Sequence, residues 1–204
     1  MSVVIVTGTD TDIGKTVFAA GLTGQLRATY WKPVQSGLEG ETDSEVVRRL
    51  SGRPTLPETL RLRLPASPHL AAAAEGRRID DRILQLPETR PLVIEGAGGL
   101  MVPLNDSATM LDVFARWNCP VILCARTRLG TINHSLLSLM ALASRGLTVL
   151  GVAFIGDPQP EVEETIQRMG KVRRLGCLPI LPVLEPASFQ GHFDAAFPPG
   201  TFDF

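Results

Sequence analysis

Val3-Val4-Ile5-Val6-Thr7 runs without a break into Gly8-Thr9-Asp10-Thr11-Asp12-Ile13-Gly14-Lys15-Thr16, and this junction decides the fold. The first five residues are all β-branched and show no polar alternation, the pattern of a strand buried on both faces. The stretch Gly14–Arg27 that follows is amphipathic and of helix length. At a strand–loop–helix joint of this kind, glycines let the backbone curl until its N–H groups and the helix N-terminus face phosphate oxygens. Lys15 then stands where it would bridge β- and γ-phosphates, and Thr16 where its hydroxyl would reach Mg²⁺. The usual motif is Gly-x-x-x-x-Gly-Lys-Ser/Thr. Here the first glycine comes one residue earlier, and Thr9 takes its place. The joint reads as a nucleotide-phosphate site and is silent on the reaction.

Outward from the joint, short apolar runs alternate with helix-length stretches. Pro91–Glu95 precedes Met110–Trp117, Pro120–Ala125 precedes Thr131–Arg145, and Leu147–Ile155 precedes Glu161–Met169. The alternation predicts an α/β fold of the P-loop NTPase kind, a mostly parallel sheet with helices on both faces. Ligands in such folds sit at the carboxyl ends of the strands, so the loops after Thr7, Trp31, Glu95, Ala125 and Ile155 should share one rim. Arg53–Pro68 carries four prolines and reads as an irregular connection. The tail after Pro182 reads as irregular too.

At 204 residues and 22.0 kDa the chain suits one domain, residues 1–204. Lys+Arg 20 against Asp+Glu 21 leave a net charge of -1. With no basic stripe, nucleic acid and membrane surfaces are not expected partners. No apolar run approaches the roughly 18 residues that span a bilayer. Met1-Ser2 leads straight into the first strand with no cationic segment, so a cytoplasmic location is expected. Cys119, Cys124 and Cys177 are too few and too scattered for a disulfide or zinc framework. They read as buried structural thiols.

Four further segments carry polar groups to the rim. Tyr30-Trp31-Lys32-Pro33-Val34-Gln35-Ser36-Gly37 ends a short strand in a polar loop, and Lys32 taken alone reads as a solvated lysine. Thr42-Asp43-Ser44-Glu45 reads as a capping box opening a helix Asp43–Leu50, with Asp43 taken alone as a first-turn acid. Glu95-Gly96-Ala97-Gly98-Gly99 places a carboxylate at a strand tip beside the phosphate loop, where these folds hold Mg²⁺. Ser67-Pro68-His69 reads as a turn before a helix. His69, His134 and His192 have no ligand spacing, so no zinc site is expected.

Taken together, these segments resemble the dethiobiotin synthetase family. The resemblance rests on Val6–Thr11 with Gly14-Lys15-Thr16, on Lys32-Pro33-Val34 with Ser36-Gly37, on Ser67-Pro68-His69 and on Glu95–Gly99. It continues through Pro120–Leu123 and Leu129-Gly130 with Ile132-Asn133-His134, and covers residues 3 to about 182 in the family's order. It implies a cytoplasmic homodimer that joins CO2 to 7,8-diaminononanoate, converting ATP to ADP and phosphate as the cyclic urea of dethiobiotin closes. An amine takes up CO2 as a carbamate, whose oxygen attacks the γ-phosphate. The second amine then closes the ring and expels phosphate.

The resemblance also implies the roles. Lys15 and Lys32 supply charge around the γ-phosphate and carbamate, and Thr16, Asp43 and Glu95 hold Mg²⁺. Thr11 and Ser36 contact the diamine or its carbamate. Gly130 and Asn133, from the neighbouring subunit, receive the substrate's carboxylate at the helix opened by Arg128–Asn133. Asp12, Ile13, Gly14 and Val17 join Lys15 and Thr16 around the nucleotide, as do Gly96, Ala97 and Gly98 and, near the base, Gly156, Asp157, Pro179, Ile180 and Leu181.

Two positions depart from the family's pattern. Asp12 stands where relatives usually carry Glu, and Gly156 where many carry an Asn that reads adenine. A residue without a side chain cannot make that paired contact, so relaxed base choice is expected, with ATP, CTP or other triphosphates accepted. The nearest rival, a regulatory ATPase of the partitioning type, usually has a lysine early in the loop, where this chain has Thr9 and Asp10. A guanine-reading Asn-Lys-x-Asp run is absent, and 204 residues leave no room for a fused glutaminase domain.

Overall fold

The computed structural model describes residues 3–203; Met1 and Ser2, read above as leading into the first strand, lie outside them. In chain order the elements are β1 (Val3–Gly8), α1 (Lys15–Gln25), β2 (Thr29–Trp31), β3 (Val34–Ser36), α2 (Asp43–Ser51), β4 (Leu60–Leu62) and α3 (Pro68–Ala74). They continue with β5 (Leu92–Gly99), α4 (Met110–Trp117), β6 (Val121–Arg126), α5 (Thr131–Ser144), β7 (Val149–Ile155), α6 (Pro160–Gly170), β8 (Arg174–Leu178) and α7 (Pro186–Ala196). Six strands form one sheet in the order β2-β5-β1-β6-β7-β8, and every pairing in it is parallel.

The period-two geometry of a strand explains why β1 contains no polar alternation. Val4 and Val6 face a layer that includes Phe18 and Phe193, while Val3 and Ile5 face the opposite layer with Phe114 and Trp117. Both faces of the central strand are therefore buried, as its composition requires. Chain order reverses about β1, with β5 and β2 to one side and β6, β7 and β8 to the other. The phosphate loop leaves β1 at this switch point, where open α/β sheets form their ligand crevice.

Three features differ from the sequence reading. Strand β5 does not stop at Glu95 but continues to Gly99, because Gly8 pairs with Gly99 after a bulge in the ladder. Glu95 is thus held mid-strand and 1% exposed, rather than standing at a turn. Within the proline-rich connection, β4 pairs with β3 in a separate two-stranded ribbon. The tail is ordered by α7, which carries Phe189 and Phe193 on one face at i, i+4 spacing, with Phe197 following as its C-cap. Their rings pack on α1, with Phe18 centred 5.6 Å from Phe193 and 5.2 Å from Phe197.

Among the described residues, no helix is long and apolar enough to cross a membrane. Cys119 and Cys124 are buried and Cys177 is half-buried. Burial raises all three thiols, Cys177 to about 11 with Glu163 adding to the rise.

Candidate active site

A cleft of about 600 Å³ opens at the carboxyl rim of the sheet. Its floor and walls include Thr11, Asp12, Ile13, Gly14, Lys15, Thr16 and Val17 of the loop and α1, with Lys32, Ser36, Asp43, Glu95, Ala97 and Gly98. All of these were singled out in the sequence. Pro65–Pro68 closes one side, so the Ser67-Pro68 turn that starts α3 is a wall of the cleft.

Local structure explains each placement. Thr16 lies in the first turn of α1, whose free N–H groups open into the cleft. Asp43 begins α2, where the backbone N–H and hydroxyl of Thr42 both donate to Glu45 at 2.7 Å, the reciprocal half of the expected capping box. Gln35 steadies this helix start, accepting from the Asp43 N–H at 3.3 Å. Glu95 enters from β5, opposite Val6 of β1.

These elements bring three hard oxygens together. Thr16 Oγ1 lies 3.0 Å from Asp43 Oδ1 and 3.0 Å from Glu95 Oε1. A hydroxyl has one proton to donate, so it satisfies only one of these approaches at a time. Hydroxyl plus two carboxylates is a donor set that suits a small hard cation such as Mg²⁺. Lys32 Nζ sits behind the trio, 2.7 Å from Asp43 Oδ2 and 2.9 Å from Glu95 Oε1, and donates to the Gly96 carbonyl at 3.2 Å. Burial works against its charge, but Glu95 and then Asp43 outweigh it and hold Lys32 above its ordinary pKa. Burial likewise opposes the Asp43 charge, and Lys32 overcomes it, holding that carboxyl below the usual range. Lys15 goes the other way: burial, then the Lys32 charge, lower it. Its ammonium folds back to donate to the Asp10 carbonyl at 2.6 Å.

The buried setting corrects the reading of Lys32 taken alone. Lys32 is not a solvated rim lysine; at 5% exposed it is a buried cation paired to two carboxylates. Lys15 is 6% exposed.

The remaining sequence-selected residues lie outside the cleft. Gly130 caps α5 and Asn133 follows in its first turn, both exposed. Gly156 is buried, with Asp157, Pro179 and Ile180 exposed beside it, and its N–H donates to Leu178 at 2.9 Å, tying the loops after β7 and β8 together. Gln35, described above, was missed, and so were Tyr30 and Arg126. Tyr30 donates to Glu95 Oε2 at 2.8 Å, and Arg126 reaches Asp10 Oδ2 at 3.1 Å and the Thr11 carbonyl at 3.2 Å. The strand alternation Tyr30-x-Lys32 was a signal for Tyr30; nothing local marked Arg126.

A phosphate loop leaving the central strand of a parallel sheet defines the P-loop nucleotide-binding proteins, and solved structures share the architecture. The cell-division ATPase MinD of Pyrococcus furiosus matches with a TM-score of 0.56 at 15% identity, over 97% of this chain and 90% of that one. A plasmid partition protein from Borrelia burgdorferi matches with a TM-score of 0.54 at 7% identity, over 95% and 96%. Such identities establish the fold alone. Residues 2–188 match an AAA domain family. Full-length likeness narrows the class: "ATP-dependent dethiobiotin synthetase BioD" of Rhodopseudomonas palustris strain TIE-1 is 60% identical over 98% of this chain and 96% of its own. The enzyme of that name from Bradyrhizobium sp. strain BTAi1 is 62% identical over 95% of each. The chain belongs to the dethiobiotin synthetases, P-loop ligases of biotin biosynthesis.

Proposed function

We propose that the cleft is where this chain carries out its family's reaction, with the residues in the roles that follow. The observation that carries the reading is the meeting of Thr16, Asp43, Glu95, Lys32 and Lys15 in one cleft lined also by Thr11 and Ser36. Thr16, Asp43 and Glu95 would hold Mg²⁺, which when bound neutralises charge on the phosphate oxygens. Loop N–H groups from Asp12 to Val17 cradle the triphosphate. Lys15 exchanges the Asp10 carbonyl for phosphate oxygens. Lys32 supports the charge that grows between carbamate and γ-phosphoryl oxygens, so the protein's contribution is positioning and preorganised charge. Ser36 and Thr11 face the diamine; the Ser36 hydroxyl is buried without a partner, as a group awaiting a ligand would be.

The base lies against Gly156, Asp157 and Pro179–Leu181, and Gly96–Gly98 line the phosphate side. Gly130 and Asn133 take the substrate's carboxylate across a homodimer interface. Asn133, Leu137 and Met140 share one face of α5, where Leu137 is 56% and Met140 69% exposed. That apolar face beside a carboxylate-seeking helix start supports the dimer. The same reading treats residues 1–204 as one cytoplasmic domain.

Turnover with and without 7,8-diaminononanoate plus bicarbonate tests the reading. Phosphate release should depend on both, with dethiobiotin formed in step. Release indifferent to the diamine would overturn it.

A further inference from the structure

The carboxylate of Glu95 is held at both of its oxygens, by Lys32 and Thr16 on one and by Tyr30 on the other. Tyr30, the chain's one tyrosine, is 0% exposed. A phenol buried this deeply needs a hydrogen-bond partner, and its hydroxyl donates to Glu95 Oε2 at 2.8 Å. The register explains the meeting: Tyr30 pairs with Val93 across β2 and β5. Glu95, two residues on, points to the same side of the sheet. Lys32, two residues beyond Tyr30, continues the same side and takes Oε1 at 2.9 Å.

The two oxygens are therefore divided. Oε2 faces Tyr30, and Oε1 faces Lys32 and Thr16. The last torsion of a glutamate side chain is broad and roughly two-fold, so a carboxylate held from one edge alone would swing. We propose that Tyr30 is a positioning residue, whose hydroxyl fixes Glu95 so that Oε1 is presented to the cation shared with Thr16 and Asp43. This rests on the reading of Glu95 as a cation ligand. Partners that orient a metal-binding side chain typically change metal affinity by about 10–100-fold when removed.

The test is calorimetry of a non-hydrolysable ATP analogue, titrated with Mg²⁺ and again with a chelator, on wild type, Tyr30→Phe and Glu95→Gln. The quantity read is the gain in affinity that Mg²⁺ brings. Tyr30→Phe keeps the ring and should lose about tenfold or more of this gain, with affinity in chelator unchanged. A full gain in Tyr30→Phe, alongside a lost gain in Glu95→Gln, sinks the role of Tyr30 and leaves Glu95 a ligand. A full gain in Glu95→Gln takes down the ligand reading and the proposal with it. Should Tyr30→Phe not fold, biosynthetic meta-fluorotyrosine labels this one site in the otherwise unaltered protein. Its single fluorine resonance should move when Mg²⁺ joins the bound analogue, and a line that stays put overturns the proposal.

Discussion

Lys32 lies between two carboxylates, which makes its loss a matter of stability as well as rate. Removing one partner of a buried ion pair leaves charge uncompensated and costs about 3–5 kcal/mol; Asp43, less buried than Glu95, puts this site at the lower end. Lys32→Ala should therefore melt well below wild type and lose ~10²–10³ in turnover. Added Mg²⁺ should raise its melting point more than that of wild type, because a divalent cation can take over the compensation. A variant as stable as wild type, or one indifferent to Mg²⁺, would contradict the arrangement. Gly156 makes the second prediction at this scale. Its φ is +130°, and a Cβ there would stand 2.4 Å from Thr127 Oγ1. The missing side chain thus has no vacant place to return to, and this position cannot supply the paired contact that identifies adenine. ATP, CTP, GTP and UTP should support turnover within about tenfold of one another, about 1.4 kcal/mol. Gly156→Asn should destabilise the fold without creating a preference for ATP. Parallel turnover assays decide it; a hundredfold preference for ATP in wild type would show adenine read elsewhere.

Helix α7 was not legible as an element, although Phe189, Phe193 and Phe197 stand in helical spacing. Prolines at 179, 182 and 186 masked it as a broken tail, and its packing partner lies far away in α1. Strand β8 escaped for a similar reason, being five residues long at the sheet's edge and mixed in polarity. By contrast, β1, β6 and β7 could be read because strands buried on both faces must be uniformly apolar. The contact between α1 and α7 gives a prediction whose sign runs against helix propensity. Gly21 is in the interior of α1, where Ala is ordinarily better by roughly 1 kcal/mol. A Cβ there would meet the Phe193 ring at 2.0 Å, so Gly21→Ala should lower stability, as overpacking does by ~1–3 kcal/mol. Phe193→Ala should cost ~3–5 kcal/mol by opening a cavity. Chemical denaturation measures both, and a stabilised Gly21→Ala would mean that α7 does not seat as described.

At the scale of the whole molecule, the phosphate loop with Lys15 and Thr16 was legible because phosphate binding needs particular residues at a fixed joint, whereas Asp43 was marked as a candidate cation ligand only by the family resemblance. Tyr30 and Gln35 were not, because their work is done through Glu95 and Asp43, partners that only the folded sheet brings near. Assembly is the remaining expectation at this scale. Leu129 is fully exposed and Met101 is 64% exposed, near the start of α5 and the phosphate loop respectively. If two copies meet there, sedimentation should give a dimer at working concentration, and Leu137→Glu should yield monomers with turnover reduced by tenfold or more. Monomeric wild type with full activity would rule the shared site out. The seating of α7 on α1 also sets a timetable for synthesis. Gln190 donates to the Gly21 carbonyl across 169 residues, an interval that a ribosome covers in on the order of ten to thirty seconds. Throughout that time the helix behind the phosphate loop has one flank bare, its Phe18 without the rings of Phe193 and Phe197. The helix that carries the first-translated part of the site therefore gains its last packing partner only when α7, made much later, is in place.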